Sequence, residues 1–310
     1  MKILITGGAG FIGSHLVKRF ELENEVHILD NLGPTSCKKR LSHHKNLFVY
    51  DISDYKTYQH IEKDYDLVIN SAAETHVDES FIRPMDFIKT NVEGLHLLAK
   101  YCADNQIPLI HLSTDEVIGT GKPLFENSMH LPTNPYSATK AAADMLIQSW
   151  ARTHGLDYII TRPSNNYGKF QYPEKFLPLA VKRLKRGKKI KLHDKGTPIR
   201  TWTHVEDTID AIILLYEKAD RNRIYNISSE FEQSNLITAK KIINSLFMGT
   251  PNRDIPDFEK HIDTSYKRPG QDVRYALRCD YLKQYGWQPK REFDKEIVNL
   301  VKHYTERFIW

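Results

Sequence analysis

Lys2-Ile3-Leu4-Ile5-Thr6-Gly7-Gly8-Ala9-Gly10-Phe11-Ile12-Gly13 decides the architecture. Five residues with an apolar centre read as a strand, and the glycines after them mark a tight turn. Phe11 to Leu22 then reads as a helix, because Phe11, Ile12, Leu16, Val17 and Phe20 fall near helical spacing. Further strands are expected at Val26–Leu29, Leu47–Tyr50, Asp66–Ile69, Ile107–Leu112 and Asp157–Thr161, with helices near Pro84–Asn105 and Pro135–His154. Strands alternating with helices predict an α/β, doubly wound parallel sheet covered on both faces. After about Pro163 the alternation loosens, and a smaller second lobe is expected there. Val205–Lys218 and Ile224–Ile227 read as a helix and strand that pack back on the first lobe. The expected division is residues 1–163, plus parts of 200–230, and a discontinuous 164–310.

Composition narrows the classes. The 310 residues are 40% hydrophobic and 27% charged, a globular profile rather than a disordered one. The longest apolar run, Ala211–Tyr216, is far short of the roughly 20 residues of a membrane span. No secretory leader is read before the first strand. Cys37, Cys102 and Cys279 lie far apart, form no metal spacing, and suit a reducing cytoplasm. A net charge of +5 suits an anionic small molecule and is too weak to argue for nucleic acid.

The glycine turn fits GxGxxG from Gly8 and GxxGxxG from Gly7. Between a strand and a helix, such a turn lets the backbone approach a pyrophosphate at the helix N-terminus. Asp30 ends the second strand, 17 residues after Gly13, in the place of a ribose-binding acid. Its charge disfavours a 2′-phosphate, so NAD is expected over NADP, although Lys38-Lys39-Arg40 follow in the same loop. Asp51-Ile52 would lie beside the adenine. The small residues Ser71-Ala72-Ala73, before Glu74-Thr75, allow close approach to the cofactor.

Tyr136 and Lys140 lie four apart on an expected helix and so share a face. An ammonium nearby lowers a phenol pKa, which would let the phenolate take a proton from a hydroxyl. Ser113-Thr114-Asp115-Glu116 ends the fifth strand, and strand carboxyl ends face the ligand crevice in such sheets. Two adjacent carboxyl groups there can divide acid and base roles if their environments differ.

Together these motifs resemble the extended short-chain dehydrogenase/reductase family, and within it the NDP-glucose 4,6-dehydratases acting on dTDP- or UDP-glucose. The resemblance covers nearly the whole chain. Its specific part is Leu112–Val117, Asn134–Lys140, Arg162–Gly168, Tyr172–Lys175, Pro198–Trp202 with Val205-Glu206-Asp207, and Arg268–Asp272. It implies a Rossmann-type sheet with a smaller C-terminal α/β substrate lobe, and a tightly bound NAD regenerated in each turnover. Tyr136 would take the O4 proton while hydride leaves C4, with Lys140 on the nicotinamide ribose. Glu116 would remove the C5 proton, Asp115 would protonate the departing O6, and Thr114 would orient the sugar. Hydride would then return to C6 and C5 would be reprotonated, giving an NDP-4-keto-6-deoxy-hexose.

By the same resemblance the cofactor set takes in Gly7, Gly10, Phe11, Ile12, Gly13, Asp30, Asn31, Asp51, Ile52, Ala72, Ala73, Thr75, Asn91, Ser113, Tyr136, Lys140 and Asn166. The substrate set takes in Thr75, Thr114, Asn165, Glu174, Lys175, Lys191, His193, Arg200, Asn235, Arg268 and Gln271. Gln271 stands where the family commonly has histidine, and Ile118 where it has tyrosine. The short stretch from Glu116 to Tyr136 leans slightly to UDP, with dTDP close behind.

One rival is a nucleotide-sugar 4-epimerase, which would use Tyr136 and Lys140 without Asp115 and Glu116. A non-catalytic NAD sensor is a remote second. Lys182–Lys191 holds seven basic residues in ten but no interleaved aromatics, so it reads as a solvated face rather than a nucleic-acid site. A homodimer through a four-helix bundle is implied, with Pro84–Asn105 and Pro135–His154 as candidate helices. Leu95, Leu98, Met145 and Ile147 are candidate contacts. No metal and no membrane partner is expected.

Overall fold

The computed structural model describes residues 1–41, 44–121, 123–247, 257–267 and 273–306. Strand β1 (Lys2–Thr6) runs through the glycine turn into helix α1 (Phe11–Phe20). Strands β2 (Glu25–Leu29), β3 (Leu47–Phe48), β4 (Leu67–Asn70), β5 (Leu109–Leu112) and β6 (Tyr158–Pro163) follow, then β7 (Asn165–Tyr167), β8 (Ile190–His193), β9 (Ile199–His204) and β10 (Arg223–Ile227). Two short strands complete the set, β11 (Glu232–Ser234) and β12 (Ile262–Tyr266). Seven strands form one sheet in the order β10-β6-β5-β4-β1-β2-β3, parallel throughout. β10, which holds Ile224–Ile227, pairs with β6 at the edge of this sheet.

Period-two alternation sorts the strand residues onto two faces. Ile3, Ile5, Ile28, Leu67, Ile69 and Ile110 pack toward α1 and the helix Val205–Lys218. Leu4, Leu29, Val68, Leu109 and Ile160 pack toward the helices Leu95–Asp104 and Pro135–His154. A separate cluster joins the helices Phe176–Lys185, Asn235–Phe247 and Phe293–Glu306 to the small sheets β11-β9-β7 and β12-β8.

Two helices set the geometry of the site. α1 begins at Gly10 with no side-chain cap, so its first N–H groups stay available to a ligand. The helix Pro135–His154 begins with a capping box, in which Asn134 accepts from Ser137 N at 2.9 Å. It ends at Gly155 in the left-handed region, φ +69°. The expected single helix Pro84–Asn105 is instead three pieces, with a π-helical stretch at Ile88–Gly94 between α-helical Pro84–Phe87 and Leu95–Asp104. The widened turn brings Asn91 onto the Glu74 backbone, donating to Glu74 O at 3.0 Å and accepting from Glu74 N at 2.9 Å.

The two glycines make a controlled pair. A Cβ on Gly13 would lie 2.1 Å from Gly7 O, whereas at Gly155 nothing lies within 4 Å. Gly155→Ala is expected to cost about 1–2 kcal/mol from its positive φ alone, and Gly13→Ala about 3 kcal/mol or more from backbone displacement. Urea unfolding of the two variants measures the difference, and equal losses would contradict it.

Candidate active site

The glycine turn is pinned from both sides. Gly7 N donates to Leu29 O at 2.8 Å, and Gly10 N to Gly7 O at 3.0 Å. Ser71 Oγ donates to Thr6 O at 2.6 Å, and a Cβ on Gly7 would meet Ala72 N at 2.6 Å. Asp30, 6% exposed, anchors the turn as well as facing the cleft. Its Oδ2 accepts from Ala9 N at 2.9 Å, and its Oδ1 from Leu32 N and Ser36 Oγ, both at 2.8 Å. Asp51 accepts from Ser53 and from Asn31 Nδ2. Gly7, Gly10, Asp30, Asn31, Asp51, Ile52, Ala72 and Ala73 wall one cleft. It continues past the turn into a second, walled by Phe11, Ile12, Gly13, Thr75, Ser113, Thr114, Asp115, Glu116, Tyr136, Lys140, Asn165, Asn166 and Lys175. A glycine cradle that any Cβ would fill, a free helix N-terminus and an acid at the end of β2 fit a dinucleotide. Arg40 is turned to Gly10 O and Ser14 Oγ, at the start of α1.

At the far end of this cleft, Lys140 Nζ donates to Leu112 O at 2.7 Å and meets His111 Nε2 at 3.2 Å. Burial brings Lys140 down to about 8, against the charge of Asp144. Tyr136 is 7% exposed. Burial, then the Glu116 charge, push its phenol above the ordinary tyrosine value, and a hydrogen bond with Thr114 opposes them. Lys140 places two of its three donors on Leu112 O and His111 Nε2, and burial with the Glu116 charge outweighs the lowering that the sequence suggested.

Thr114 caps the short 3₁₀ turn Asp115–Ile118. Its hydroxyl accepts from Glu116 N at 3.3 Å and donates to Asp115 Oδ1 at 3.1 Å. Asn134 Nδ2 donates to Glu116 Oε2 at 3.3 Å. Burial, then the neighbouring Glu116 charge, push Asp115 up to about 7. Asp115 Oδ2 and Asn165 Oδ1 are buried in residues of the cleft wall without a hydrogen-bond partner. Two such atoms beside one cleft call for a polar ligand.

Residues 3–228 match the NAD dependent epimerase/dehydratase family. The chain belongs to that family. It is 37% identical to a low-salt glycan biosynthesis protein of Haloferax volcanii, covering 98% of each chain. It is 36% identical to a dTDP-glucose 4,6-dehydratase of Haemophilus influenzae, again over 98% of each. A dTDP-glucose 4,6-dehydratase of Streptomyces venezuelae, solved with NAD bound, superposes with a TM-score of 0.92 at 32% identity, over 99% of this chain and 98% of that one.

The remaining expected site residues of this family member fall in three groups. Lys175 Nζ donates to Thr75 O at 3.0 Å, and His76 Nε2 lies 3.8 Å from Glu174 Oε1, so these pairs tie the segment after β4 to the segment before the helix Phe176–Lys185. Asn166 lines the cleft with its amide engaged by Ser164 O and Thr208 Oγ1. Arg200, Asn235, Lys191 and His193 lie outside the wall that holds Tyr136. Arg200 sits over the Tyr275 ring at 5.0 Å, and its charge still reaches Asp115. Lys191 Nζ sits over the Tyr266 ring at 4.1 Å, and the His193 ring is 6.3 Å from the same ring. Asn235 N donates to Pro198 O at 3.0 Å. Asn91 holds the Glu74 backbone rather than lining either cleft. Arg268 and Gln271 lie outside the described residues.

Sequence reasoning missed Thr35 and Gln171 in the cleft wall, and gave no role to Ser164 and Tyr172 there although both stand in the motifs that carry the resemblance. It also missed the buried Asp144, which accepts from Arg162 Nε at 3.1 Å and Nη2 at 3.0 Å one helical turn beyond Lys140. A charged residue repeating the Tyr136–Lys140 spacing was the available signal. Ile118 is buried with Val117, Ala141 and Leu277, so it packs. Four side chains of the basic run 182–191 are occupied within their own lobe: Arg183 on Lys189 O, Lys185 on Thr305 O, Lys189 on Glu259 O, and Lys191 over Tyr266. Among the described residues no group of three His, Cys, Asp or Glu could hold a metal ion.

The Asp115 value has a stability consequence. It lies above the unfolded value, so ionisation costs stability as pH rises from the ordinary carboxylate range through about 7. Roughly three pH units bound the cost at about 4 kcal/mol. Asp115→Asn is expected to stabilise the protein by about 1–4 kcal/mol near pH 8 and by little near pH 4. Urea unfolding at both pH values checks this, and an equal change at both would contradict the burial argument.

Proposed function

We propose that the protein is an NDP-glucose 4,6-dehydratase, converting dTDP-glucose in preference to UDP-glucose to the NDP-4-keto-6-deoxy sugar. One observation carries the reading: two adjacent carboxyl groups end β5 in the same cleft as Tyr136, and one of them is held near neutrality by burial. A 4-epimerase would have no work for that pair. The order of the bases reverses the lean drawn from the sequence, because the dehydratase relatives are named for dTDP-glucose.

The glycine turn, Asp30, Tyr136 and Lys140 would hold NAD, which when bound would supply a hydride acceptor toward C4 and a hydride donor toward C6. Tyr136, once a positive ring brought against it has released its own proton to solvent, takes the O4 proton on Oη. Glu116 removes the C5 proton, made acidic by the 4-keto group, and gives a proton back to C5 once hydride has added at C6. Asp115, protonated below about pH 7, gives its proton to the departing O6. Thr114 holds both the Asp115 side chain and the start of the Glu116 turn. Thr75, Asn165, Glu174, Lys175, Lys191, His193, Arg200, Asn235, Arg268 and Gln271 are assigned to the nucleotide sugar. The two-lobe division, 1–163 with parts of 200–230 against 164–310, belongs to the same proposal.

The proposal extends to a cytoplasmic homodimer. No helix among the described residues is long and apolar enough to cross a membrane. Leu95, Leu98 and Ile147 are 0–1% exposed and serve the core, which removes them as dimer contacts. Ile82, Met85 and Met145 are 71%, 68% and 56% exposed, beside partly exposed Phe81 and Ile88. Such an apolar face suits a helix-bundle partner. Met85→Asp is expected to shift the protein from dimer to monomer in light scattering, and an unchanged dimer would exclude this face.

Purified protein incubated with dTDP-glucose is expected to yield a product lighter by one water, faster than with UDP-glucose. A product of equal mass would overturn the dehydratase reading. Glu116→Gln is expected to lower kcat by about 100-fold or more, stopping after C4 oxidation with reduced cofactor accumulating. The wild type is expected to lose kcat above about pH 7 as Asp115 ionises, and Asp115→Asn is expected to be slower throughout and to lack that limb.

A further inference from the structure

Three polar side chains interrupt an apolar sheet face. Thr6, Asn70 and His111 stand level across β1, β4 and β5, on the side of the sheet that carries Leu4, Val68 and Leu109. All are at most 1% exposed. Polar groups in such a place are costly unless each finds a partner. Thr6 Oγ1 lies 2.6 Å from Asn70 Oδ1, Asn70 Nδ2 lies 3.0 Å from His111 Nδ1, and His111 Nε2 lies 3.2 Å from Lys140 Nζ. The row begins beneath the glycine turn and ends on the lysine beside Tyr136.

Hydrogen-bond polarity decides what such a row does. An ammonium has three donors and no acceptor. Facing a charged Lys140, His111 Nε2 must accept and Nδ1 must carry the ring proton. The Asn70 amide then turns its oxygen toward Nδ1 and its NH₂ toward the Thr6 oxygen, a half-turn that leaves its shape unchanged. If Nε2 carries the proton instead, Lys140 must be a neutral amine. Each charge state of the lysine therefore goes with one polarity of the row. Burial, with the Lys140 charge, holds His111 well below the ordinary histidine value, so the ring itself stays neutral. Lys140 is also faced by Tyr136 and Asp144 on its own helix, by Asp115 and Glu116 after β5, and by Arg162 from β6, which is paired with Asp144.

We propose that His111, backed by Asn70 and Thr6, is a positioning residue for Lys140. It accepts one N–H of the ammonium while Leu112 O takes a second, and the third is left for the cofactor cleft. The row thereby holds the lysine in place and in its charged form.

Nitrogen NMR of the holoenzyme with ¹⁵N-labelled histidine tests this directly, with the His111 signals assigned by their loss in His111→Gln. At neutral pH the ring is expected to carry its proton on Nδ1, the form free histidine disfavours, and to invert as Lys140 is neutralised. An Nε2-protonated ring throughout roughly pH 6 to 9 would overturn the proposal. A kinetic arm, which rests on the dehydratase reading, follows C4 oxidation in the Glu116→Gln background. There His111→Leu should move the basic limb of the rate down by about one pH unit, and His111→Gln, whose Oε1 can accept from Nζ, should restore it. A limb unchanged in His111→Leu would also overturn the proposal. The ring signal is read whether or not the protein dehydrates a sugar, so failure of the functional reading would be seen separately.

Discussion

The site depends on one charge-assisted hydrogen bond, from Lys140 Nζ to Leu112 O at 2.7 Å. It ties the helix Pro135–His154 to the carboxyl end of β5. Tyr136 lies one turn before Lys140 on that helix, and Ser113–Glu116 leave directly from the tied strand end. The proposed proton acceptor and the proposed eliminating pair are thus held in one frame, to which the Asn134 contact with Glu116 adds a second tie. A buried bond of this kind contributes about 1.5–3 kcal/mol. Its larger effect is to leave few relative positions for the groups it joins.

Burial then works in two directions. It raises Asp115 to about 7, which keeps an acid available near neutrality. It also raises the Tyr136 phenol, helped by Glu116. The resting phenol is therefore protonated, and it is poised to release its proton only when a positive charge is brought against it. The cleft that runs from the glycine turn, two strand positions away, to Tyr136 would bring the cofactor's positive ring against it. The parallel sheet matters here because it ends β1, β4 and β5 level with one another, so the turn, the Ser71–Thr75 loop and the Ser113–Glu116 turn open on one crevice.

Much of this was legible in the sequence because it rests on short-range patterns. The glycine turn, Asp30, the helix Val205–Lys218 and the Tyr136–Lys140 spacing follow from local periodicity and backbone chemistry. What escaped depends on tertiary neighbours. Leu95, Leu98 and Ile147 look the same whether a helix faces a partner or its own sheet. The π-helical stretch at Ile88–Gly94 arises from Asn91 reaching the Glu74 backbone, which no local signal announces. His111 and Asn70 sit within apolar strands and show their partners only once the strands are in register. Asp144 and Arg162 lie 18 residues apart, on different elements.

The central claim is that this cleft oxidises C4, eliminates across C5 and C6, and delivers the same hydride to C6. Incubating dTDP-glucose deuterated at C4 and locating the label in the product tests it most directly. The account predicts loss of one water with deuterium at C6. Deuterium returned to C4 of a sugar of unchanged composition would contradict it, and would leave Asp115 and Glu116 without their assigned work.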